Sequence, residues 1–247
     1  MAPVPALARL LTFLEKYVFS FCFLYLWAYP EFEVLRTRLP LYAEQNALGL
    51  GSAGLFAVTV KHLLLFTFAL FVGVGLLLNR APVRQPERLR DIVVPILGTF
   101  FQFTFRLTGA APAALTQSLI PVAFRNAAAV AAVVVSLVGY GIAAWAVLSL
   151  GRSFSLLVAV RTVVHGGAYR RVRHPMYLGY LLLFAGLLLA APSVLSLALS
   201  TMYLVLTVYR ARLEEEALGR HSAAYRDYAA RTGFLLPRLR APAPASG

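Results

Sequence analysis

From Pro175 to Tyr209 the chain runs 35 residues without one Asp, Glu, Lys or Arg. As a single helix rising ~1.5 Å per residue it would measure ~50 Å, far more than the ~30 Å hydrocarbon core of a bilayer. The run must fold back on itself. Ala191, Pro192 and Ser193 mark the place, because proline turns the residue before it away from helical backbone and serine caps a new helix. Each arm is then ~25 Å long, the lower limit for a crossing, and both ends of the hairpin return to one membrane face. An earlier uncharged run, residues 126–151, is long enough to cross alone.

A chain that is 60% hydrophobic and 13% charged, with a mean hydropathy of +0.74, is too apolar for an ordinary soluble globule. Its formal charge of +13 does not point to nucleic acid. The basic residues gather in short stretches, residues 80–91 and 152–174, as the positive-inside rule expects of cytoplasmic loops. Residues 10–29, interrupted by Glu15 and Lys16, read as a retained membrane helix. Residues 31–54, with Glu31, Glu33, Arg36, Arg38, Glu44 and Pro40, read as an outside loop. A second helix is expected over residues 55–79, with Lys61 and His62 near its start. Residues 92–124, punctuated by Arg106, Gly109, Pro112 and Pro121, read as one span plus a short re-entrant piece.

The expected fold is therefore all-α: a polytopic integral membrane protein of about five to six transmembrane helices. Six crossings put both termini and all basic regions inside. Residues 210–231 form a charged helical segment on that face, and the Ala/Pro-rich end, residues 239–247, is expected to be a disordered tail. The division is 1–125 for the N-terminal helices and loops, and 126–238 for the core. The single cysteine, Cys22, excludes a disulfide framework and a cysteine-built metal site, and no metal is expected.

The hairpin brings together two polar clusters distant in sequence. Before it stand Tyr169, Arg170, Arg171, Arg173, His174 and Tyr177; after it stand Arg210, Glu214, Glu215 and Glu216. Arg210 and Glu214, spaced i, i+4, share a helix face where the helix leaves the bilayer. Pro175 sits well in a first helical turn, where early N–H groups meet an anionic ligand group, and Gly179 permits close approach. Each feature alone has a plainer reading. Arginines anchor a membrane face, an acidic triplet is usually a solvated face, Tyr225 with Tyr228 is usually an interfacial pair, and His62, His165 and His221 are given no role. Phe100, Phe101, Phe103 and Phe105 are read as packing or lipid-facing residues.

Taken jointly, the spacing Gly-x-Tyr-x-x-Val-Arg-His-Pro-x-Tyr-x-Gly, a short apolar hairpin, Arg-x-x-x-Glu-Glu-x-x-Leu and Tyr-x-x-Tyr resembles the isoprenylcysteine carboxyl methyltransferase and phospholipid methyltransferase superfamily, in its bacterial form. The positions are Gly167, Tyr169, Val172, Arg173, His174, Pro175, Tyr177 and Gly179, then Arg210, Glu214, Glu215 and Leu218, then Tyr225 and Tyr228. Ala168 departs from the proline many relatives carry. The resemblance covers roughly residues 150 to 238.

It implies S-adenosylmethionine as cofactor, in a pocket at the cytoplasmic face of a bacterial inner membrane, closed by the C-terminal helix. Family contacts fall on Arg161, Thr162, Val163, Val164, Tyr169, His174, Pro175, Met176, Tyr177 and Glu214, with Glu214 toward the cofactor's amino group. Arg210 falls where the family orients the methyl acceptor, a lipophilic molecule entering from the bilayer. Glu215 is expected to support the fold, and His174 is conceivable as a base. Two other functions compete: a membrane sterol-reductase-like NADPH oxidoreductase, and a non-catalytic scaffold or small transporter.

Overall fold

The computed structural model describes residues 5–47, 53–101, 104 and 111–238. Helices are α1 (Pro5–Phe13), α2 (Tyr29–Ala47), α3 (Ala53–Leu77), α4 (Arg90–Phe100), α5 (Ala113–Thr116), α6 (Arg125–Leu150), α7 (Pro175–Ala190), α8 (Val194–His221) and α9 (Ala223–Arg231). No strand occurs among the described residues, only two isolated bridges, Arg84 with Val160 and Val172 with Gly233. Three helical stretches are long and apolar enough to cross a membrane, Ala6–Glu44, Val122–Ser153 and Val194–His221, and two shorter apolar helices accompany them, His62–Leu77 and Pro175–Ala190. The all-helical, polytopic expectation holds.

One expected boundary is wrong. Residues 31–47 are not a loop: α1 continues through two π-helical stretches, Leu14–Phe19 and Cys22–Ala28, into α2, which passes through Pro40 and ends at Ala47. The charges that suggested a loop lie on a helix with a buried side. Leu35 is buried, Glu33 pairs with Arg36 at 3.0 Å one turn on, and Glu31 meets His62 of α3. Residues 48–52 lie outside the described residues, as do the Lys61 side chain, Arg106, Gly109, Phe103, Phe105 and residues 239–247.

The described helices run back and forth between two ends of the structure. Gln85 in the first basic loop donates to Thr12 Oγ1 at 2.8 Å, so α1 begins on the basic face. α3 returns to that face, where Arg80 N donates to Arg152 O at 2.9 Å. By Leu119 the chain has reached the hairpin tip, donating to Pro192 O at 2.7 Å. The third passage is not one described helix, however, because α4 has 11 residues and is only ~16 Å long. Pro112 and Pro121 lie outside any helix, on either side of the short α5. α6, α7 and α8 complete the passages.

The hairpin folds as the sequence requires. α7 ends at Ala190, and Ser193 caps α8 through a reciprocal capping box with Ser196. α7 lies on α6 along small residues. A Cβ on Gly179 would come 2.7 Å from Ala143 N and Gly139 O, and one on Gly139 would come 2.8 Å from Gly179 O. Close backbone approach of this kind binds helices that gain little from lipid exclusion. Gly179→Ala is therefore expected to push the helices apart and cost ~1–3 kcal/mol, read as a lower midpoint of thermal unfolding in detergent. An unchanged midpoint would mean that the pair has slack.

Candidate active site at the inner face

The hairpin carries its two clusters into contact. Tyr177, in the first turn of α7, donates its hydroxyl to Glu214 of α8. Arg210 lies one turn before Glu214, with Nε 3.4 Å from Oε1. Its guanidinium donates to Leu156 O at 2.7 Å, lies 3.4 Å from Thr99 Oγ1, and rests 5.3 Å from the centre of the Tyr177 ring. Arg210 is buried, 7% exposed, while the Glu214 side chain keeps 26% of its surface open.

Glu215 ties the surrounding framework. It accepts from Arg173 Nε at 2.5 Å and lies 3.1 Å from His174 Nε2. Arg173 also donates to Ala229 O at 2.9 Å and Thr232 O at 2.5 Å, so it clasps α9. His174 stacks on Tyr177 and meets Phe234 edge to face. Its ring is buried and engaged with Glu215, which leaves it poorly placed to act as a free base. Burial raises Tyr228 to about 12, so its hydroxyl stays a donor, and it holds Tyr169 O at 2.6 Å. Burial also raises Tyr169, with the negative charge of Glu214 acting in the same direction.

The loop before α7 is clamped by a residue that sequence reasoning treated only as an interruption. Glu15 Oε1 accepts from Ser155 Oγ at 2.6 Å, Leu156 N at 2.7 Å and Leu157 N at 3.1 Å, and Oε2 accepts from Arg161 at 2.6 Å. Arg161 also donates to Arg80 O. Burial lowers the Arg161 guanidinium while the Glu15 carboxylate opposes that shift, so the pair holds as an ion pair. The signal was available: an acid inside a membrane helix always needs a partner.

Two cavities result. The inner one, about 120 Å³, is lined by Arg161, Thr162, Val163, Val164, Tyr169, His174, Met176, Tyr177 and Glu214. Nine of the ten residues expected to contact a cofactor thus share one cavity, and Pro175 stands beside it as the first residue of α7. The second, about 650 Å³ and mostly apolar, reaches between α2, α3, α4, α6, α7 and α8 and is lined by Arg210. Only Met176 and Tyr177 line both, so they form the partition.

The inner cavity suits a small polar ligand. Among the described residues Glu214 is the one acid on its wall, and the Tyr225 hydroxyl, fully buried there, has no hydrogen-bond partner. Burial, reinforced by the charge of Glu215, raises Tyr225 and keeps it a donor. An unmatched buried hydroxyl costs ~1–3 kcal/mol, so a ligand atom that accepts from it is favoured there.

Residues 127–223 match the family model of the phospholipid methyltransferases, within the isoprenylcysteine and phospholipid methyltransferase superfamily. The matched stretch carries the α6–α7 pair, the hairpin, Arg210 and Glu214, and supports methyl transfer at a membrane as the class of activity. No curated protein matches the chain. Glu15, Tyr225 and the walls that α2, α3 and α4 give the large cavity lie outside the methyltransferase match.

Proposed function

We propose that the protein transfers a methyl group from S-adenosylmethionine to a lipophilic acceptor that enters from the bilayer, at the cytoplasmic face. The observation that carries this reading is the shared partition: a small cavity lined by residues of the second basic loop and an apolar cavity of lipid-accommodating size meet at Met176 and Tyr177, with Glu214 on one side and Arg210 on the other. The larger volume falls within the ~300–1,000 Å³ usual for ligand pockets. The smaller falls below it, so cofactor entry requires the exposed turn at residues 165–167 to open.

Bound in the inner cavity, S-adenosylmethionine would supply a methyl group already activated by its sulfonium. The chain's own task is to hold, orient and exclude water. Glu214 offers a carboxylate to an ammonium group, Tyr225 a hydroxyl donor, and residues 162–164 a wall of backbone and small side chains. Arg210 presents a fixed positive charge to the acceptor, which favours an acceptor that arrives as an anion. Such an acceptor needs no base, in keeping with the engaged ring of His174.

The test incubates purified protein with isotopically labelled S-adenosylmethionine and native lipid extract, followed by mass spectrometry for any lipid that gains one labelled methyl. A parallel binding measurement offers S-adenosylhomocysteine and NADPH. Binding of NADPH alone would turn the assignment to the reductase reading. Tyr225→Phe, which removes one oxygen and no packing, is expected to weaken S-adenosylhomocysteine binding about tenfold, the value of one buried hydrogen bond, without lowering the unfolding midpoint. Equal affinity in calorimetry would leave the hydroxyl without a ligand role.

A further inference from the structure

The large cavity has polar groups at both ends, and only the inner one is accounted for by methyl transfer. At the other end Glu31 of α2 and His62 of α3 face each other, Nδ1 to Oε2 2.5 Å apart, with side chains only 10% and 16% exposed. Both line the cavity. In the tautomer that donates Nδ1–H to the Glu31 carboxylate, Nε2 is the acceptor. That nitrogen has no partner among the described residues and is not sealed by packing. The walls near it are apolar: Phe23, Trp27, Leu64, Leu65 and Phe68.

The separation of the two ends follows from α3. Phe154 packs on Gly75, and Leu156, two residues on, accepts from Arg210, so Arg210 lies near the level of Leu76. His62 is 14 residues earlier on the same helix, about 20 Å further into the membrane. A half-buried histidine at that depth, fixed by a carboxylate on one side, has its other side turned toward the cavity.

We propose that the Glu31–His62 pair is a distal subsite that accepts a hydrogen bond from a hydroxyl on the chain of a long amphiphile, whose anionic head lies at Arg210. The cavity then measures its occupant twice, by charge at the inner end and by a hydroxyl about 20 Å away. This rests on the reading of the cavity as the acceptor site, but its test needs neither cofactor nor turnover. Palmitate and ω-hydroxypalmitate, of comparable length to that span, compete for the purified full-length protein against a fluorescent polyene fatty acid.

Wild-type protein is expected to bind the two within about threefold, since a hydroxyl that finds a partner offsets its own desolvation. His62→Phe is expected to keep palmitate and to lose ω-hydroxypalmitate about tenfold, because the hydroxyl is buried without an acceptor. His62→Gln restores an acceptor and should recover most of that loss. Should the phenylalanine variant not fold, His62→Met supplies the same comparison. If His62 merely staples α2 to α3, substitution shifts both ligands equally or neither, and the proposal falls. Failure of both lipids to displace the probe from wild-type protein overturns it too, while S-adenosylhomocysteine binding in the same preparation shows whether the methyltransferase reading survives.

Discussion

Glu15→Ala is expected to destabilise the protein by ~3–5 kcal/mol and to abolish measurable S-adenosylhomocysteine binding, although residue 15 lines neither cavity. The carboxylate satisfies two backbone N–H groups, one hydroxyl and one guanidinium, all in the loop that leads to residues 161–164. Its removal leaves the Arg161 charge buried with only a carbonyl partner, and orphans Leu156 N and Leu157 N. Because Leu156 O in turn holds Arg210, the disturbance reaches both cavities. Glu15→Gln keeps the shape and two acceptor roles but loses the charge, and should fall between. Combining Glu15→Leu with Arg161→Leu removes both charges and should recover part of the stability without recovering binding. Thermal unfolding and calorimetry on wild type, Glu15→Leu, Arg161→Leu and the double variant decide it; additive stability losses in the double variant would show that the pair is not coupled.

What the sequence made legible follows the physics that is local or linear. An uncharged run of 35 residues has to turn back, and Pro192 with Ser193 leaves one place to do so, so the contact between the His174 and Glu214 neighbourhoods was readable before any coordinates. The roles within that contact were less readable. His174 and Glu215 look like an acid and a base in a string of letters, but i, i+1 neighbours on a helix face different directions: Glu215 turns to Arg173 and His174, Glu214 to Tyr177 and Arg210. Arg161, expected at the cofactor, lines the cavity but turns both terminal guanidinium nitrogens to Glu15 and Arg80 O, contacts across more than 80 residues of sequence. The second cavity was invisible for the same reason, since its walls come from six separate helices, α2, α3, α4, α6, α7 and α8. Residues 31–47 misled because charges and prolines were counted without their spacing, which hides Leu35 on the packed side of a helix.

The partition at Tyr177 makes a sharper demand on kinetics. Glu214 lines the inner cavity and not the outer, whereas Arg210 lines the outer and not the inner. Glu214→Ala should therefore weaken S-adenosylhomocysteine binding by about 100-fold, the cost of truncating one side of a buried charged contact. Arg210→Ala should leave that affinity within about fivefold, since its bond to Glu214 is long, and lower kcat/KM for the acceptor by 100-fold or more, on the order of ~3 kcal/mol of lost stabilisation. Arg210→Lys keeps the charge but not the planar fork that reaches Leu156 O and Thr99 together, and should restore binding of an anionic acceptor better than turnover. The two alanine variants are informative only as a pair. A shared loss of cofactor affinity would mean that the i, i+4 ion pair is one structural unit, and the division of labour across Tyr177 would have to be abandoned.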